Sequence, residues 1–243
     1  MSMKPPRLPW NGFPDVLIQT DESSVKQHPD YWAAKTGDAT AALRLVQAVL
    51  NRHQLAVLKE IVGSDAGPAG NAPPILASVH AYERDGVNAI PEVLADELSA
   101  SLGWPVDDGI VQTNVVSHTG ADGFSRLARQ AEFSGTIKPG ARYVMVDDFV
   151  GMGGTLANLR GHIESNGGRA VAAIVLTGKQ HSAKLRLSLE RLAELRSKHG
   201  KELEHWWQER FGHAFDALTE SEARYLVRTP DADTLRDRLA AAE

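Results

Sequence analysis

An apolar run that ends in two carboxylates and a glycine loop constrains this chain more than any other stretch of its sequence. The run covers residues 143–146, whose β-branched and aromatic side chains are typical of a buried strand. Asp147 and Asp148 follow directly, and four residues later comes Gly153-Gly154-Thr155. Apolar residues at helical spacing then predict a helix, at Leu156, Leu159 and Ile163. The order of strand, acidic pair, glycine loop and helix predicts an α/β unit.

The glycine loop has the chemistry of a phosphate-binding site. Glycines that open a helix let backbone N–H groups converge, and the helix N-terminus adds partial positive charge. Thr155 adds a hydroxyl donor, and the nearby carboxylates can accept hydrogen bonds from sugar hydroxyls. Together these groups describe a ribose 5-phosphate site. An ordinary α/β turn with acidic surface residues is one alternative; a Walker phosphate loop is excluded because no lysine follows Gly154.

The stretch over residues 143–155 resembles the 5-phosphoribosyl-1-pyrophosphate (PRPP) signature of type I phosphoribosyltransferases, and its register matches without gaps. The resemblance implies that Asp147 and Asp148 bind the ribose hydroxyls and take part in catalysis. It also implies that the loop residues surround the 5-phosphate, namely Val150, Gly151, Met152, Gly153, Gly154 and Thr155. The family usually has threonine or serine where Met152 stands, so one hydroxyl donor is missing here.

A second strand–loop–helix unit precedes the motif. A buried strand over residues 74–79 leads through a polar loop into a helix that opens at Pro91 and stops at Gly103. This unit resembles the family's pyrophosphate loop. The resemblance implies pyrophosphate contacts from Arg84, Asp85, Gly86 and Asn88, and a solvated loop is the alternative.

Residues 110–116 predict another strand, and residues 117–130 a polar loop. The loop falls where the family has its flexible catalytic loop, which closes to exclude water from a developing oxocarbenium ion. Arg126 and Arg129 would then bring positive charge to pyrophosphate as catalytic residues. Because few apolar residues anchor the loop, we expect it to be mobile without ligand. A solvated basic turn is the alternative.

A further buried strand over residues 170–176 ends close to Lys179. Ligands of open parallel sheets collect at the carboxyl ends of the strands. Lys179 is therefore a candidate for contacting the acceptor base, with an exposed surface lysine as the alternative.

The flanking segments differ from this α/β core. Residues 1 to about 36 are rich in proline and predict an irregular arm with a short strand near Leu17, held to the body by aromatic side chains: Trp10, Phe13, Tyr31 and Trp32. From Ser188 onwards the pattern predicts helices without strands, with a capping box at Thr219 and Glu222 and a further cap at Asp231 or Asp233.

Composition limits the classes of function. The chain has 243 residues, with 26 Lys and Arg against 31 Asp and Glu, so a net charge of −5 does not support binding to nucleic acid or to an anionic membrane. It has no cysteine, which removes disulfides and thiolate metal sites. No apolar run reaches membrane-spanning length and no signal peptide is apparent, so we expect a cytoplasmic protein.

We therefore predict one α/β domain over residues 1–243, with a mostly parallel, doubly wound sheet of the type I phosphoribosyltransferase kind. Its core covers about residues 74–179, and a hood comes from an N-terminal arm (residues 1–50) and a helical C-terminal extension (residues 185–243).

The resemblance implies an enzyme of nucleotide metabolism, a glycosyltransferase that moves a phosphoribosyl group from PRPP to a nucleobase-like acceptor and releases pyrophosphate. Mg²⁺ would be held near Asp147 and Asp148 through substrate and water, without direct protein ligands. A homodimer is compatible with this assignment. The alternative is a PRPP- or nucleotide-binding regulatory or partner protein that has lost catalysis, which Met152 and the unfamiliar hood favour.

Overall fold

A five-stranded parallel sheet forms the centre of the computed structural model, which describes residues 4, 6–65, 72–79, 82–83, 86–114 and 123–242. The strands in this part of the chain are β1 (Leu17–Ile18), β2 (Ile75–Ser78), β3 (Tyr82–Glu83), β4 (Gly86–Val87), β5 (Val106–Asp107), β6 (Val111–Gln112), β7 (Phe133–Ser134), β8 (Arg142–Val150) and β9 (Arg169–Gly178). The main sheet has the order β1-β9-β8-β2-β5 with every pair parallel. The remaining strands form two short antiparallel pairs, β3 with β4 and β6 with β7.

Helices cover both faces of this sheet. In chain order they are α1 (Glu22–Lys26), α2 (Tyr31–Lys35), α3 (Ala39–Val49), α4 (Arg52–Ser64), α5 (Ile90–Leu102), α6 (Gly123–Ala128), α7 (Gly154–Ser165), α8 (Leu189–Phe211), α9 (Glu220–Val227) and α10 (Ala232–Ala241). Val144 and Val146 pack with α3, α4 and α5, whereas Met145 packs with α7. Successive residues of a strand point to opposite faces, so β8 is buried on both sides. The predicted doubly wound α/β fold is confirmed.

The N-terminal arm is more regular than predicted. Its short strand β1 pairs in parallel with β9 and completes one edge of the main sheet, and α1 and α2 follow it. Trp10 and Phe13 are buried, as expected. The prediction for Trp32 was wrong, because its side chain is 67% exposed on α2.

The arm crosses the outer side of α7 and buries it. The Arg160 guanidinium donates to the carbonyl oxygens of Leu8 and Pro9 at 3.0 and 3.1 Å, and its central carbon lies 4.9 Å from the centre of a Trp10 ring. Gly161 permits this close approach, since a Cβ there would lie 1.7 Å from the carbonyl oxygen of Pro6. The N-terminal arm therefore packs closely against α7 and supports it.

The C-terminal extension forms a hydrophobic cluster of its own. Trp207, Phe211 and Phe215 are buried there, together with residues of α9 and α10. A kink at Gly200, with φ +76°, divides α8 into two helical segments. The capping box of Thr219 and Glu222 is present, and Asp231 caps α10, so these local predictions are confirmed.

The segment before the motif corrects two predictions. Of the strand expected over residues 110–116, the described part (residues 110–114) contains β6, which pairs with β7 rather than joining the main sheet. The loop expected to lack apolar anchors contains α6, whose Phe124 and Leu127 are buried in the C-terminal cluster. The prediction of a mobile loop is therefore wrong for residues 123–128, because their apolar side chains bind the extension; residues 115–122 lie outside the described residues.

Among the residues that the structure describes, no helix is both long enough and apolar enough to cross a membrane.

Among the described residues three histidines are buried, and the pKa of each is lowered chiefly because burial disfavours the charged ring: His162, His199 and His213. Burial lowers the pKa of His213 to about 3, from an ordinary value of 6.5. Below pH 6.5 the unfolded chain therefore binds a proton at His213 that the folded chain does not. The contribution of His213 to the free energy of unfolding is complete at neutral pH and falls as the pH drops from 6.5 to about 3.

We expect urea unfolding at pH 5.5 to show a lower free energy of unfolding than at pH 7.5, with His213 contributing at most about 1.4 kcal/mol of the difference. The His213→Asn variant, whose amide does not titrate, should lose this part of the pH dependence. The change in the free energy of unfolding between the two pH values is compared in wild type and variant. Every other group contributes equally to both, so the difference reports on His213. Equal changes in wild type and variant would show that His213 does not couple folding to pH.

Candidate functional site

The acidic pair lies inside strand β8 rather than after its end. The strand continues beyond the two carboxylates, since Phe149 and Val150 still pair with Thr177 and Gly178 of β9. The Asp147 side chain is buried, and its Oδ1 accepts a hydrogen bond from the Asp148 backbone N–H at 2.8 Å. Burial raises the pKa of Asp147 well above its ordinary value, and the negative charge of Asp148 raises it further. The Asp147 carboxyl therefore retains a proton more readily than an isolated carboxyl would.

A lysine of the N-terminal arm neutralises the second carboxylate. The Nζ of Lys35, at the end of α2, lies 3.0 Å from Oδ2 of Asp148, and both side chains are mostly buried. This charge also acts to lower the pKa of Asp147, although burial outweighs it. Sequence reasoning did not find Lys35, which is 113 residues away from Asp148.

The glycine loop presents the open N-terminus of α7. Gly153 precedes this helix with φ +84°, and no side chain of the described residues caps it. A Cβ on Gly153 would lie 2.3 Å from the buried Leu185 Cδ2, so the position favours glycine for packing as well as for backbone conformation. The first N–H groups of a helix have no partners within it, so the backbone of Gly154 and Thr155 can donate to a bound anion.

One cavity of about 260 Å³ joins these two features. Both carboxylates line it, and so do the predicted phosphate-binding residues, namely Val150, Gly151, Met152, Gly153, Gly154 and Thr155. Arg126, Arg129 and Asn88 also line it, which places three further predicted residues beside the motif. The Nη1 atom of Arg126 would lie 2.8 Å from a Cβ on Gly151, so this guanidinium is directly above the loop.

Other predicted residues lie elsewhere. Gly86 sits in the β3–β4 hairpin, where a Cβ would come 2.6 Å from the Thr36 carbonyl oxygen, and it does not line the cavity. Asn88 lines the cavity, but its Oδ1 also accepts from the Ile90 backbone N–H at 3.2 Å. Arg84 and Asp85 lie outside the described residues.

Lys179 is also outside this cavity. Its Nζ lies 3.4 Å from Oε2 of Glu22, and the side chain is half-exposed. The residue lines a neighbouring cavity instead, so the structure does not bring it to the carboxylates.

A buried ion pair supports the glycine loop from beneath. The Arg7 guanidinium donates to both carboxylate oxygens of Glu222, at 2.7 and 3.1 Å, and the two side chains are 3% and 2% exposed. Arg7 also donates to the side-chain oxygen of Asn158 in α7, and it lies 3.4 Å from the Gly154 carbonyl oxygen. The Thr219 hydroxyl donates to the Met152 carbonyl at 2.6 Å. The arm and the C-terminal extension thus fix the conformation of the loop together.

No group of three or more His, Asp or Glu side chains within the described ranges is arranged to hold a metal ion. The two adjacent carboxylates still offer oxygen atoms of the kind that Mg²⁺ prefers, and one of them is paired with Lys35. These oxygen atoms suit an Mg²⁺ ion whose ligands come mainly from a bound phosphate and from water.

Comparison with known proteins gives two relatives. The chain is 42% identical over 236 residues to Protein TraN of Escherichia coli, which is 97% of this chain and 51% of TraN. It is 37% identical over 158 residues to an uncharacterized protein of Haemophilus influenzae, covering 65% of this chain and 34% of that protein. The chain therefore spans about half the length of TraN. No known family profile matches the chain.

Similar solved structures include phosphoribosyltransferases. The adenine phosphoribosyltransferase of Thermoanaerobacter pseudethanolicus is 19% identical, with a TM-score of 0.32 over 54% of this chain and 71% of that one. The adenine phosphoribosyltransferase of Leishmania donovani is 13% identical, with a TM-score of 0.34 over 73% and 62% of the two chains. Because these scores are low, only the site's own residues carry weight in assigning a function.

Proposed function

We propose that this protein binds PRPP in the cavity between the acidic pair and α7 and transfers its phosphoribosyl group to a nucleobase-like acceptor. One observation carries the proposal: a single cavity joins two adjacent carboxylates to the uncapped N-terminus of a helix preceded by glycines. A helix N-terminus binds phosphate, and carboxylates accept hydrogen bonds from a diol. Ribose 5-phosphate carries both groups.

The donor would lie with its 5-phosphate at Gly153, Gly154 and Thr155 and its hydroxyls at the carboxylates. Its pyrophosphate would then extend toward the cations that line the same cavity, among them Arg126 and Arg129. Positive charge there stabilises the negative charge that develops on the leaving group. Mg²⁺ bound to the pyrophosphate and ribose oxygens through water would add to this stabilisation.

The transfer forms one bond and breaks one. The acceptor nitrogen contributes its lone pair to the new bond with the anomeric carbon. The bond from that carbon to the pyrophosphate oxygen breaks, and its electron pair leaves on the oxygen. The acceptor's N–H proton passes to solvent. The protein's part is to hold the two reactants in line and to exclude water, an activity that we place in the cytoplasm.

A second candidate is a protein that binds PRPP without turning it over. Met152 favours it, because the side chain offers no hydroxyl to the phosphate. The discriminating observation is pyrophosphate release, which a binder would not produce with any acceptor.

Thermal unfolding in the presence of ligand tests donor binding directly. PRPP with Mg²⁺ at about 100 times its dissociation constant should stabilise the protein by about 2.7 kcal/mol. For a chain of this size that raises Tm by roughly 5–11 °C. Ribose 5-phosphate should stabilise less, because it lacks the pyrophosphate. If PRPP leaves Tm unchanged, the cavity is not a donor site.

A further inference from the structure

A second cavity adjoins the glycine loop. It has a volume of about 470 Å³, and five residues line both cavities: Lys26, Arg126, Phe149, Gly151 and Met152. Its other walls come from α1, from the turn after β9 and from α9. A molecule in the second cavity would therefore lie next to a donor held by the loop.

The lining of the second cavity is strongly positive. It includes five lysine and arginine side chains, namely Lys26, Arg126, Lys179, Arg224 and Arg228. Among the described residues that line it, one carries a carboxylate, namely Glu22, which pairs with Lys26 and Lys179. The pKa of His181 is lowered by partial burial and then by the charges of Arg224, Lys179 and Arg228. Because the whole chain carries a net charge of −5, this surplus of cations marks a local site for an anion.

Arg224 is held in place at the back of this cavity. Its Nη2 donates to the Ser221 hydroxyl at 3.1 Å, and the hydroxyls of Ser221 and Ser182 lie 3.0 Å apart. Both serines are buried. A guanidinium has five N–H donors, so one bond to serine leaves it able to bind a carboxylate or phosphate. A donor that is already positioned loses less conformational entropy on binding.

The cavity also has flat apolar surface beside these charges. The rings of Phe149 and Tyr225 line it, and Lys26 Nζ lies 5.5 Å from the centre of the Phe149 ring. Aromatic rings stack on planar heterocycles, whereas the cations require negative charge. The lining therefore suits a planar ring that carries an acidic group.

We propose that the second cavity binds the acceptor, and that this acceptor is an anionic heterocycle whose acidic group contacts Arg224 and Arg228. The inference rests on the proposed function, which assigns PRPP to the first cavity. Arg224 and Arg228 line the second cavity and not the first, so no role in binding PRPP is assigned to them. Because the two cavities share lining residues, the acceptor would adjoin the donor.

Binding of matched pairs, each made of an acid and a neutral counterpart, tests the inference without turnover. The probes are nicotinate with nicotinamide and orotate with uracil, titrated by calorimetry into protein saturated with ribose 5-phosphate, which cannot react. At least one acid should bind about tenfold more tightly than its neutral counterpart, the effect of a charge-assisted hydrogen bond.

Variants then assign the preference to this cavity. Arg224→Ala with Arg228→Ala should abolish the preference for the acid, while the Tm increase produced by PRPP is retained. Lys184→Ala with Lys201→Ala is the matched control, because it removes the same charge from exposed positions that line neither cavity. This control should keep the preference.

Each result separates the two proposals. If PRPP raises Tm but no acid is preferred, or the preference survives in the arginine variant, the inference is overturned and the proposed function stands. If the arginine variant loses PRPP binding, these cations serve the pyrophosphate and the inference is likewise overturned. If PRPP does not bind at all, both proposals fall.

Discussion

Replacing Asp147 and Asp148 together by asparagine should reduce PRPP affinity by at least about tenfold, because each change removes a charged acceptor of ribose hydroxyls. The change keeps side-chain shape, so the cavity should remain. It also relieves the repulsion between two adjacent carboxyls, one of them buried with a raised pKa. We therefore expect the variant to fold, and any loss of affinity to report on binding.

Calorimetry with PRPP and Mg²⁺ measures this effect. The single variants separate the two carboxylates, since Asp148→Asn also removes the carboxylate that lies 3.0 Å from the Lys35 Nζ, whereas Asp147→Asn does not. Asp108→Asn, at an exposed position, is the matched control and should bind PRPP as wild type does. Unchanged affinity in the folded double variant would remove the acidic pair from the site.

Neutralising Glu222 should cause the largest loss of stability. Glu222→Gln leaves the Arg7 guanidinium buried without its counter-charge, which typically costs about 3–5 kcal/mol. Glutamine can still accept from the Thr219 N–H, so the capping box of α9 is kept and the effect isolates the charge. Because Arg7 also lies against Asn158 and Gly154, we expect weaker PRPP binding as well.

A second substitution checks the cause. Arg7→Met combined with Glu222→Gln removes both charges and should recover much of the stability, because the unpaired charge is gone. The free energies of unfolding in urea give the coupling between the two positions. An exposed ion pair contributes less than about 1 kcal/mol. If Glu222→Gln alone costs no more than that, Glu222 is not what stabilises the buried charge of Arg7. PRPP affinity measured on the stable double variant then shows whether the pair also orders the loop.

The sequence by itself determined the features that depend on neighbouring residues. The continuous run of β-branched and aromatic residues identified β8, and the glycines identified the start of α7. Thr219 and Asp231 were found as helix caps because a cap bonds backbone groups two or three residues away. The acidic pair and the loop could be predicted as one site for the same reason, since they lie within a few residues of each other.

Predictions failed where packing between distant segments overrides local pattern. The polar composition of residues 117–130 suggested a mobile loop, yet Phe124 and Leu127 bury themselves against the C-terminal extension. Local composition cannot report this, because the partners lie on α8, α9 and α10. Trp32 was expected inside on hydrophobicity alone, and only the position of α2 decided that it points outward.

Only the tertiary structure decided what surrounds the site. Lys35 reaches Asp148 across 113 residues, and Arg7 reaches Glu222 across 215 residues. Ion pairs at such separations depend on how the arm and the extension fold onto the core, and no periodicity or cap chemistry encodes them. The same packing gathers Arg224, Arg228 and Lys179 into one positive cavity, although the chain as a whole is acidic. The local sequence thus specified the predicted donor-binding motif, whereas long-range packing created its supports and the neighbouring cavity.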